Sequence, residues 1–237
     1  MKIWEMTKDL LFPRRCVVCD DVMPLGRQYF CKECKSKIVY IKEPICLKCG
    51  KELLMDSTEE YCTDCKNRAH EFESGRAALD YGSFADSIFR FKNKGRQEYS
   101  KFFARALYES QKDFLRLINP DFLVPVPIHK TKMSERGYNQ SELIADELSR
   151  LSNIPVISNL ILRTKNTKAL KELGANERQN NLKKAFKIGT FDVKLKSIVI
   201  IDDIYTTGST IDEISRTIRE KFDCKIYFLT ITIGRGI

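Results

Sequence analysis

The sequence has no apolar run that approaches the roughly 18 residues needed to cross a bilayer. Its first twelve residues, MKIWEMTKDLLF, carry two acidic side chains and lack the apolar core and cleavage site of a secretion signal. We therefore expect a cytoplasmic protein without a transmembrane segment. The apolar spacing of these residues predicts a short helix ending at Pro13, which would pack on its own domain or lie at the inner face of the membrane.

Negative charge is in the minority, and the imbalance is uneven along the chain. The formal net charge is +9. Residues 1–71 hold 13 Lys and Arg against 12 Asp and Glu, which leaves 28 against 20 beyond residue 71. An excess of positive charge in the second part predicts anionic partners such as phosphorylated ligands or nucleic acid, although good solubility would also account for it.

Cysteine is almost absent after residue 65. Eight of the nine cysteines form four Cys-x-x-Cys pairs. The pairs are Cys16 with Cys19, Cys31 with Cys34, Cys46 with Cys49, and Cys62 with Cys65. The flanking segments repeat, since YFCKECKSK is similar to EYCTDCKNR and CVVCDD is similar to CLKCGK. One unit of two pairs therefore occurs twice. The ninth cysteine, Cys224, is expected to be an inert core residue.

The spacing of the pairs indicates structural zinc. Two intervening residues let one turn present two thiolates to the same tetrahedral ion, and four sulfurs complete a closed Zn²⁺ site. The repeat favours the first four cysteines on one ion and the last four on another, while interleaved pairing stays open. Disulfides suit secreted proteins, and a redox role is disfavoured because a core of ~60 residues needs metal to fold. We expect a double zinc ribbon over residues 1–70.

Beyond residue 70 the pattern changes to alternating strands and helices. Strands are predicted at GRAALDYG, DFLVPVPI, SIVII and 225–233, and helices at SIFRFKNKGRQEYSKFFARALYESQKDFLRLI, NQSELIADELSRL and 209–221. The long helix should be interrupted near Gly95. SIVII lacks alternation, which indicates burial on both faces. This order predicts an α/β fold over residues 71–237, in which a mainly parallel sheet is covered by helices.

The strand SIVII leads directly into two carboxylates and a run of hydroxyls, IDDIYTTGST. In parallel α/β folds ligands bind at the carboxyl ends of strands. The helix expected to begin at Ser209 offers unpaired N–H groups and a positive dipole end to an anion. Gly208 permits close approach of the backbone. Four hydroxyls can donate to phosphate oxygens, those of Thr206, Thr207, Ser209 and Thr210.

The two carboxylates, Asp202 and Asp203, need a different explanation because they repel phosphate. They suit sugar hydroxyls, which donate hydrogen bonds, or Mg²⁺ held through water. An acid pair followed by a phosphate cradle therefore predicts a ribose 5-phosphate site. A plain helix with Ser209 or Thr207 as N-cap would explain one hydroxyl of the four and would leave the acid pair unexplained.

The same stretch resembles the ribose-phosphate motif of type I phosphoribosyltransferases, in which two acidic residues and Thr-Thr-Gly-x-Thr follow a hydrophobic strand. Together with PVPIHKTKMSERGYNQSELIADEL and the cysteine module, it makes nearly the whole chain resemble the ComF family of competence-associated, phosphoribosyltransferase-like proteins. The resemblance implies a type I phosphoribosyltransferase-like parallel sheet with helices on both faces, plus a small N-terminal zinc-ribbon module.

The resemblance also implies a ligand, 5-phosphoribosyl 1-diphosphate with Mg²⁺, and roles for individual residues. Asp202 and Asp203 would hold the ribose, and Arg136 would bind the pyrophosphate bidentately; these three are the candidate catalytic residues. Gly137 would permit the turn after Arg136, and Asn139 would cap the next helix. The ribose-phosphate contacts would come from Asp202, Asp203, Tyr205, Thr206, Thr207, Gly208, Ser209 and Thr210. His129 is expected to have a structural role, with an acid–base role as the alternative.

The basic stretch from 163 to 186 resembles the family's flexible hairpin. Arg178 and Asn181 match its Arg-x-x-Asn positions, whereas Leu170 stands where Gln is expected. Such a hairpin would close over pyrophosphate or follow a nucleic-acid backbone. A solvated charged hairpin is the remaining interpretation.

Two functions stay open from the sequence. The first is a phosphoribosyltransferase-like protein that binds its ligand with Mg²⁺ in connection with DNA uptake; no segment identifies an acceptor or a general base, so transfer itself is not predicted. The second is a competence factor for single-stranded DNA, working with other DNA-uptake proteins, whose transferase site is a sensor or a relic. In that case Phe91, Tyr99, Phe102 and Phe103 would stack on bases, although such aromatics are more often core. The intact acid pair favours a retained ribose-phosphate site.

Overall fold

A computed structural model describes residues 13–24, 28–165, 184–190 and 194–234. The helix expected over the first twelve residues lies outside these ranges, as do Leu170, Arg178 and Asn181. The helices are α1 Thr63–Asn67, α2 Tyr81–Asn93, α3 Tyr99–Ile118, α4 Lys130–Arg136, α5 Gln140–Ser152 and α6 Ser209–Arg219, with a 3-10 helix at Lys32–Lys37. The strands are β1 Gly75–Asp80, β2 Phe122–Pro125, β3 Ile161–Arg163, β4 Phe186–Ile188, β5 Ser197–Tyr205 and β6 Lys225–Ile233.

The centre of the fold is a four-stranded sheet with the order β1-β6-β5-β2. Its three strand pairs are all parallel, which confirms the predicted sheet. Strands β3 and β4 pair separately as an antiparallel ribbon. β5 lies inside the sheet, between β6 and β2. The two carboxylates near its C-terminal end therefore lie at the edge of the sheet where the neighbouring parallel strands also end.

Apolar side chains of β5 alternate between two hydrophobic cores, one on each face of the sheet. Ile198 and Ile200 belong to the core under α6, and Val199 and Ile201 belong to the core under α2, α3 and α5. All four are fully buried, as expected for a strand without alternation. The predicted helices on both faces are confirmed. Cys46 and Cys49 of the second cysteine group also pack into the α6 face, so part of that face is covered by the cysteine module.

The cysteine module is joined to the sheet through backbone hydrogen bonds. The amide of Ile41 donates to the carbonyl of Ala78 at 3.0 Å, and the amide of Asp80 donates to the carbonyl of Val39 at 3.0 Å. Residues 39–41 thereby pair antiparallel with the outer edge of β1, where an exposed strand would otherwise invite pairing with another chain. The division of the chain at residue 70 stays a prediction.

The predicted strand GRAALDYG ends two residues earlier than expected, since α2 begins at Tyr81. The predicted end of β5 was also wrong. β5 does not end before the acid pair but continues to Tyr205, because its pairing with β6 persists through Asp202 opposite Thr230 and Tyr205 opposite Ile233. The predicted break near Gly95 is confirmed: α2 ends at Asn93, Gly95 has φ +67°, and α3 begins at Tyr99. Among the described residues, no helix is both long and apolar enough to cross a membrane.

The aromatic residues considered for base stacking are core residues. Phe91, Tyr99, Phe102 and Phe103 are at most 4% exposed and pack between α2 and α3. Their rings contact one another and the rings of Tyr29, Phe30, Phe84 and Tyr138. The stacking role was therefore wrong for these four residues. Cys224 is also buried, as predicted.

Candidate functional site

The two adjacent carboxylates, Asp202 and Asp203, have different partners. Asp202 accepts hydrogen bonds through Oδ1 from the Ser141 hydroxyl at 3.1 Å and from the Asp203 amide at 2.9 Å. Asp203 instead forms an ion pair with Lys92, in which Oδ2 and Nζ are 2.7 Å apart. The two acids are thus tied to different helices, Asp202 to α5 and Asp203 to α2.

The surroundings of Asp202 change its pKa. Burial, followed by the negative charge of Asp203, raises the pKa of Asp202 to about 7. The Lys92 charge and the two hydrogen bonds act in the opposite direction. The site therefore holds one carboxylate in an ion pair, Asp203, and one whose pKa lies near neutral pH, Asp202. Two acidic groups suit contacts to sugar hydroxyls better than they suit an anion.

Besides Lys92, which contacts Asp203, three cations from separate parts of the chain interact electrostatically with the acid pair or with one another. Burial lowers the pKa of Lys132, and the positive charges of Arg163, Arg136 and Lys92 lower it further. The charge of Asp203 acts on Arg136 and that of Asp202 acts on Arg163, in each case against the effect of burial. Such a cluster suits a polyanion bound beside the carboxylates.

Arg136, the predicted pyrophosphate residue, is the last residue of α4. His129 caps the start of this helix, where its side chain accepts a hydrogen bond from the Thr131 amide, which confirms a structural role. Gly137 has φ +80° and reverses the chain as predicted. Asn139 then caps α5 by accepting from the Ser141 amide at 3.2 Å. The RGYN segment therefore joins α4, which ends at Arg136, to α5, whose Ser141 contacts Asp202.

The phosphate loop, which we define as residues 205–210, joins β5 to α6. Gly208 occupies the N-cap position at φ +76°, and no side chain caps the helix. The alternative with Ser209 or Thr207 as N-cap was therefore wrong, and the first amides of α6 keep no intrahelical acceptor. A small pocket is lined by Asp202 and residues 204–211. Those amides and the four hydroxyls make it a suitable anion site.

The Tyr205 side chain packs against Gly208 of this loop. It is 3% exposed, and its ring is stacked on Phe228 with centroids 4.7 Å apart. Burial raises the pKa of its hydroxyl. A Cβ atom on Gly208 would lie 2.6 Å from the Tyr205 hydroxyl oxygen, so the loop passes directly over the ring.

The eight paired cysteines form two groups in the predicted sequential order, Cys16, Cys19, Cys31 and Cys34 in one, and Cys46, Cys49, Cys62 and Cys65 in the other. Within each group the sulfurs lie within 4.8 Å of one another. The Sγ atoms of Cys19 and Cys31 are 3.8 Å apart, and those of Cys49 and Cys62 are 3.7 Å apart. A tetrahedral ion with Zn–S bonds of about 2.3 Å requires sulfurs about 3.8 Å apart, so both groups fit zinc. No cysteine forms a disulfide.

Several residues of the site were not identified from the sequence. Lys92, Lys132, Ser141 and Arg163 each lie in a helix or strand far along the chain from the acid pair. Lys132 and Ser141 do belong to the segment that resembles a family signature, and this was a signal that could have found them. Lys92 carried no such signal, since it is one of several basic residues around Gly95.

Comparisons with known proteins match the cysteine module and also most of the chain. Residues 7–66 match a family model described as a double zinc ribbon domain. The chain is 31% identical to Competence protein F of Haemophilus influenzae over 88% of this chain and 92% of that protein. It is 30% identical to Competence protein ComFC of Bacillus subtilis over 81% of this chain and 78% of that protein.

Two further comparisons concern a bacterial relative and a solved structure. DNA utilization protein YhgH of Escherichia coli is 29% identical over 87% of this chain and 91% of that protein. A purine phosphoribosyltransferase from Pyrococcus horikoshii matches with a TM-score of 0.33 and 16% identity, over 56% of this chain and 83% of that structure.

Proposed function

Because this chain belongs to the ComF family, with Competence protein F and ComFC, we propose that it binds 5-phosphoribosyl 1-diphosphate together with Mg²⁺ and uses this site in the handling of incoming DNA. One observation carries the proposal: an acid pair, a phosphate loop and a group of cations meet at one edge of the sheet. Each part matches a different group of this ligand.

The phosphate loop suits the 5-phosphate. The uncapped amides of α6 donate to phosphate oxygens, and the hydroxyls of Thr207 and Ser209, whose oxygens are 2.9 Å apart, face the same pocket. Holding the 5-phosphate here fixes the ribose relative to the strand end. The ribose hydroxyls then donate to the carboxylates of Asp202 and Asp203.

The cations suit the diphosphate. Arg136 presents a planar fork of donors, and Lys132 and Lys92 add charge beside it. Mg²⁺, when bound, would neutralise the charge of the diphosphate oxygens. In a transfer reaction, these side chains would stabilise the departing pyrophosphate, and the carboxylates would offset positive charge developing on the sugar ring.

We propose single-stranded DNA as a second ligand, because relatives of the chain are named for competence and for DNA utilization. The excess of basic residues beyond residue 71 supports contacts to a phosphate backbone. Stacking by the four aromatic residues of α2 and α3 has no part in it, since they are buried.

The decisive experiment is a calorimetric titration of the protein with 5-phosphoribosyl 1-diphosphate, with and without Mg²⁺. We expect saturable binding that Asp202→Asn with Asp203→Asn abolishes, while the affinity for a single-stranded oligonucleotide stays equal or rises. Asp113→Asn with Asp223→Asn is the matched control, since both residues are exposed. Equal affinity of the wild type and of the acid-pair variant for the sugar diphosphate would refute the site.

A further inference from the structure

The segment that leaves the second cysteine group, residues 68–72, is in direct contact with the phosphate loop. The Arg68 guanidinium donates through Nη1 to the carbonyl of Thr207 at 3.2 Å and to the hydroxyl of Ser209 at 3.3 Å. Its other terminal nitrogen, Nη2, lies 3.2 Å from Oδ2 of Asp212. One side chain from the cysteine module thus bridges the loop and the first turn of α6.

Asp212 is the anchor for this segment on α6. Its side chain is 5% exposed. Besides Arg68, it accepts a hydrogen bond from the Glu71 amide at 3.0 Å, and it lies 3.0 Å from Nδ1 of His70. The His70 ring also borders Gly208, where a Cβ atom would be 3.0 Å from Cε1. The segment therefore contacts the loop through the side chains of Arg68 and His70, and it contacts the first turn of α6 through Asp212.

Residues 68–72 are also in contact with the second cysteine group and with the core around it. Phe72 stacks on His70 with centroids 4.7 Å apart and packs edge-on against Tyr205 at 6.3 Å. Lys48, which lies between Cys46 and Cys49 in sequence, donates to the Phe72 carbonyl. Because both of these cysteines are fully buried in the core that also contains Phe72 and Tyr205, their geometry sets the position of the segment.

The first cysteine group docks elsewhere. Its Asp20 forms a bidentate pair with Arg96, at 2.7 and 2.9 Å, and accepts from the Tyr99 hydroxyl at 2.6 Å. Ser87 of α2 donates to the carbonyl of Val17 at 2.6 Å. These contacts support α2 and α3, so the two groups, alike in sequence, occupy different places around the site.

We propose that the second zinc ribbon supports the phosphate loop from outside the pocket, and that Arg68 is the positioning residue that holds this loop in its anion-binding shape. The inference rests on the proposed function and extends it to a residue outside the phosphoribosyltransferase-like pattern. Arg68 also brings a positive charge next to the hydroxyl of Ser209, which favours a doubly charged sugar phosphate over a neutral sugar.

Ribose 5-phosphate and inorganic pyrophosphate separate this role from general stability. We expect Arg68→Ala to weaken ribose 5-phosphate binding in calorimetry by about 10- to 100-fold, the range for losing a charged hydrogen-bond donor. Affinity for inorganic pyrophosphate with Mg²⁺ should stay unchanged, because that ligand would sit beside Arg136 and Lys132. Arg68→Lys should recover part of the loss, since it keeps the charge without the planar fork.

Arg116→Ala is the control, because Arg116 is an exposed arginine whose ion pair stays within α3. Elemental analysis should find the same zinc content in all three variants as in the wild type. The inference, but not the proposed function, would be overturned if Arg68→Ala bound ribose 5-phosphate with wild-type affinity. It would also be overturned if Arg68→Ala lost affinity for ribose 5-phosphate and for pyrophosphate to the same extent. A wild-type protein that binds neither ligand would instead overturn the proposed function, and the inference with it.

Discussion

At the scale of single residues, the site combines two like charges with cations that reach them from separate helices. Lys92 neutralises Asp203, while Asp202 relies on the Ser141 hydroxyl and a backbone amide. The two acids therefore depend on different partners. Asp202 is the member whose pKa is raised, and Asp203 is the member that is paired with a lysine.

The raised pKa of Asp202 makes stability depend on pH. The folded protein keeps a proton on this residue up to a pH of about 7, whereas the unfolded chain releases it near its ordinary pKa of 3.8. The folded state binds more protons between these values, so its free energy of unfolding falls as the pH rises through this window and is level above it. We expect Asp202→Asn to remove this decline in urea denaturation curves measured across the window.

The comparison for this prediction is Asp113→Asn, which changes an exposed acid on α3. It should follow the wild-type pH profile throughout. Identical slopes for the wild type and Asp202→Asn would mean that Asp202 is already ionised in the folded protein.

Lys92→Ala should leave Asp203 as a buried charge without its cation. The Asp203 side chain is 10% exposed and that of Lys92 is 27% exposed, so solvent screens the pair only in part. Loss of one partner of such a pair should lower the free energy of unfolding by about 1–3 kcal/mol. Chemical denaturation measures the change, with Lys94→Ala as control because Lys94 is exposed just beyond the end of α2. Equal losses in the two variants would contradict the role of the ion pair.

At the scale of elements, the loop between β5 and α6 depends on a left-handed glycine. Gly208 has φ +76° and no room for a side chain, whereas Gly95 has φ +67° and no atom within 4 Å of the place that a Cβ atom would occupy. Replacement of either glycine by alanine should cost about 1–2 kcal/mol, because a residue with a Cβ atom is strained in the left-handed region. The two glycines differ in the close contacts that a Cβ atom on Gly208 would make with Tyr205 and His70, and in that Gly208 lines the pocket of this loop.

Gly208→Ala should therefore cost more free energy of unfolding than Gly95→Ala, and it alone should abolish ribose 5-phosphate binding. The extra cost arises because the stacked Tyr205 ring has no space to move away from the new methyl group. Denaturation and calorimetry on the two variants measure both effects. Retention of ligand binding by Gly208→Ala would show that the loop tolerates a different shape.

At the scale of the whole molecule, the two cysteine groups contribute unequally to the core. Cys46 and Cys49 are part of the large core beneath α6, whereas Cys16 and Cys34 form a small cluster with Met23. Metal held by the second group therefore stabilises the sheet itself, while metal held by the first group stabilises a smaller structure attached to α2 and α3.

Elemental analysis of anaerobically purified protein should find about two zinc ions per chain, four sulfurs to each. Cys31→Ser and Cys62→Ser should each lose one ion. Cys62→Ser should lower the melting temperature further, and each additional kcal/mol corresponds to about 2–4 °C for a chain of this size. A larger decrease for Cys31→Ser would contradict the unequal burial of the two groups, and absence of zinc would remove the ribbon assignment.

Much of the fold could be predicted because its signals are local. Periodicity located β1, β2, α3 and α5, and the two-residue spacing and repeat of the cysteines gave their sequential grouping. The boundary of β5 was misjudged because two adjacent carboxylates look like the end of a strand. Pairing with β6 extends the strand through them, and no local pattern reports that pairing.

The sequence by itself determined which groups stand together along the chain: eight cysteines spaced for metal, two adjacent carboxylates, and a glycine-centred run of hydroxyls. Only the tertiary structure decided which side chains support them. Lys92 of α2 pairs with Asp203 of β5, and His70 contacts Asp212, which is 142 residues further along the chain. The physical reason is that spacing along the chain specifies which groups lie in one turn or strand end, whereas contacts between distant segments follow from strand order and from the packing of two cores around the sheet.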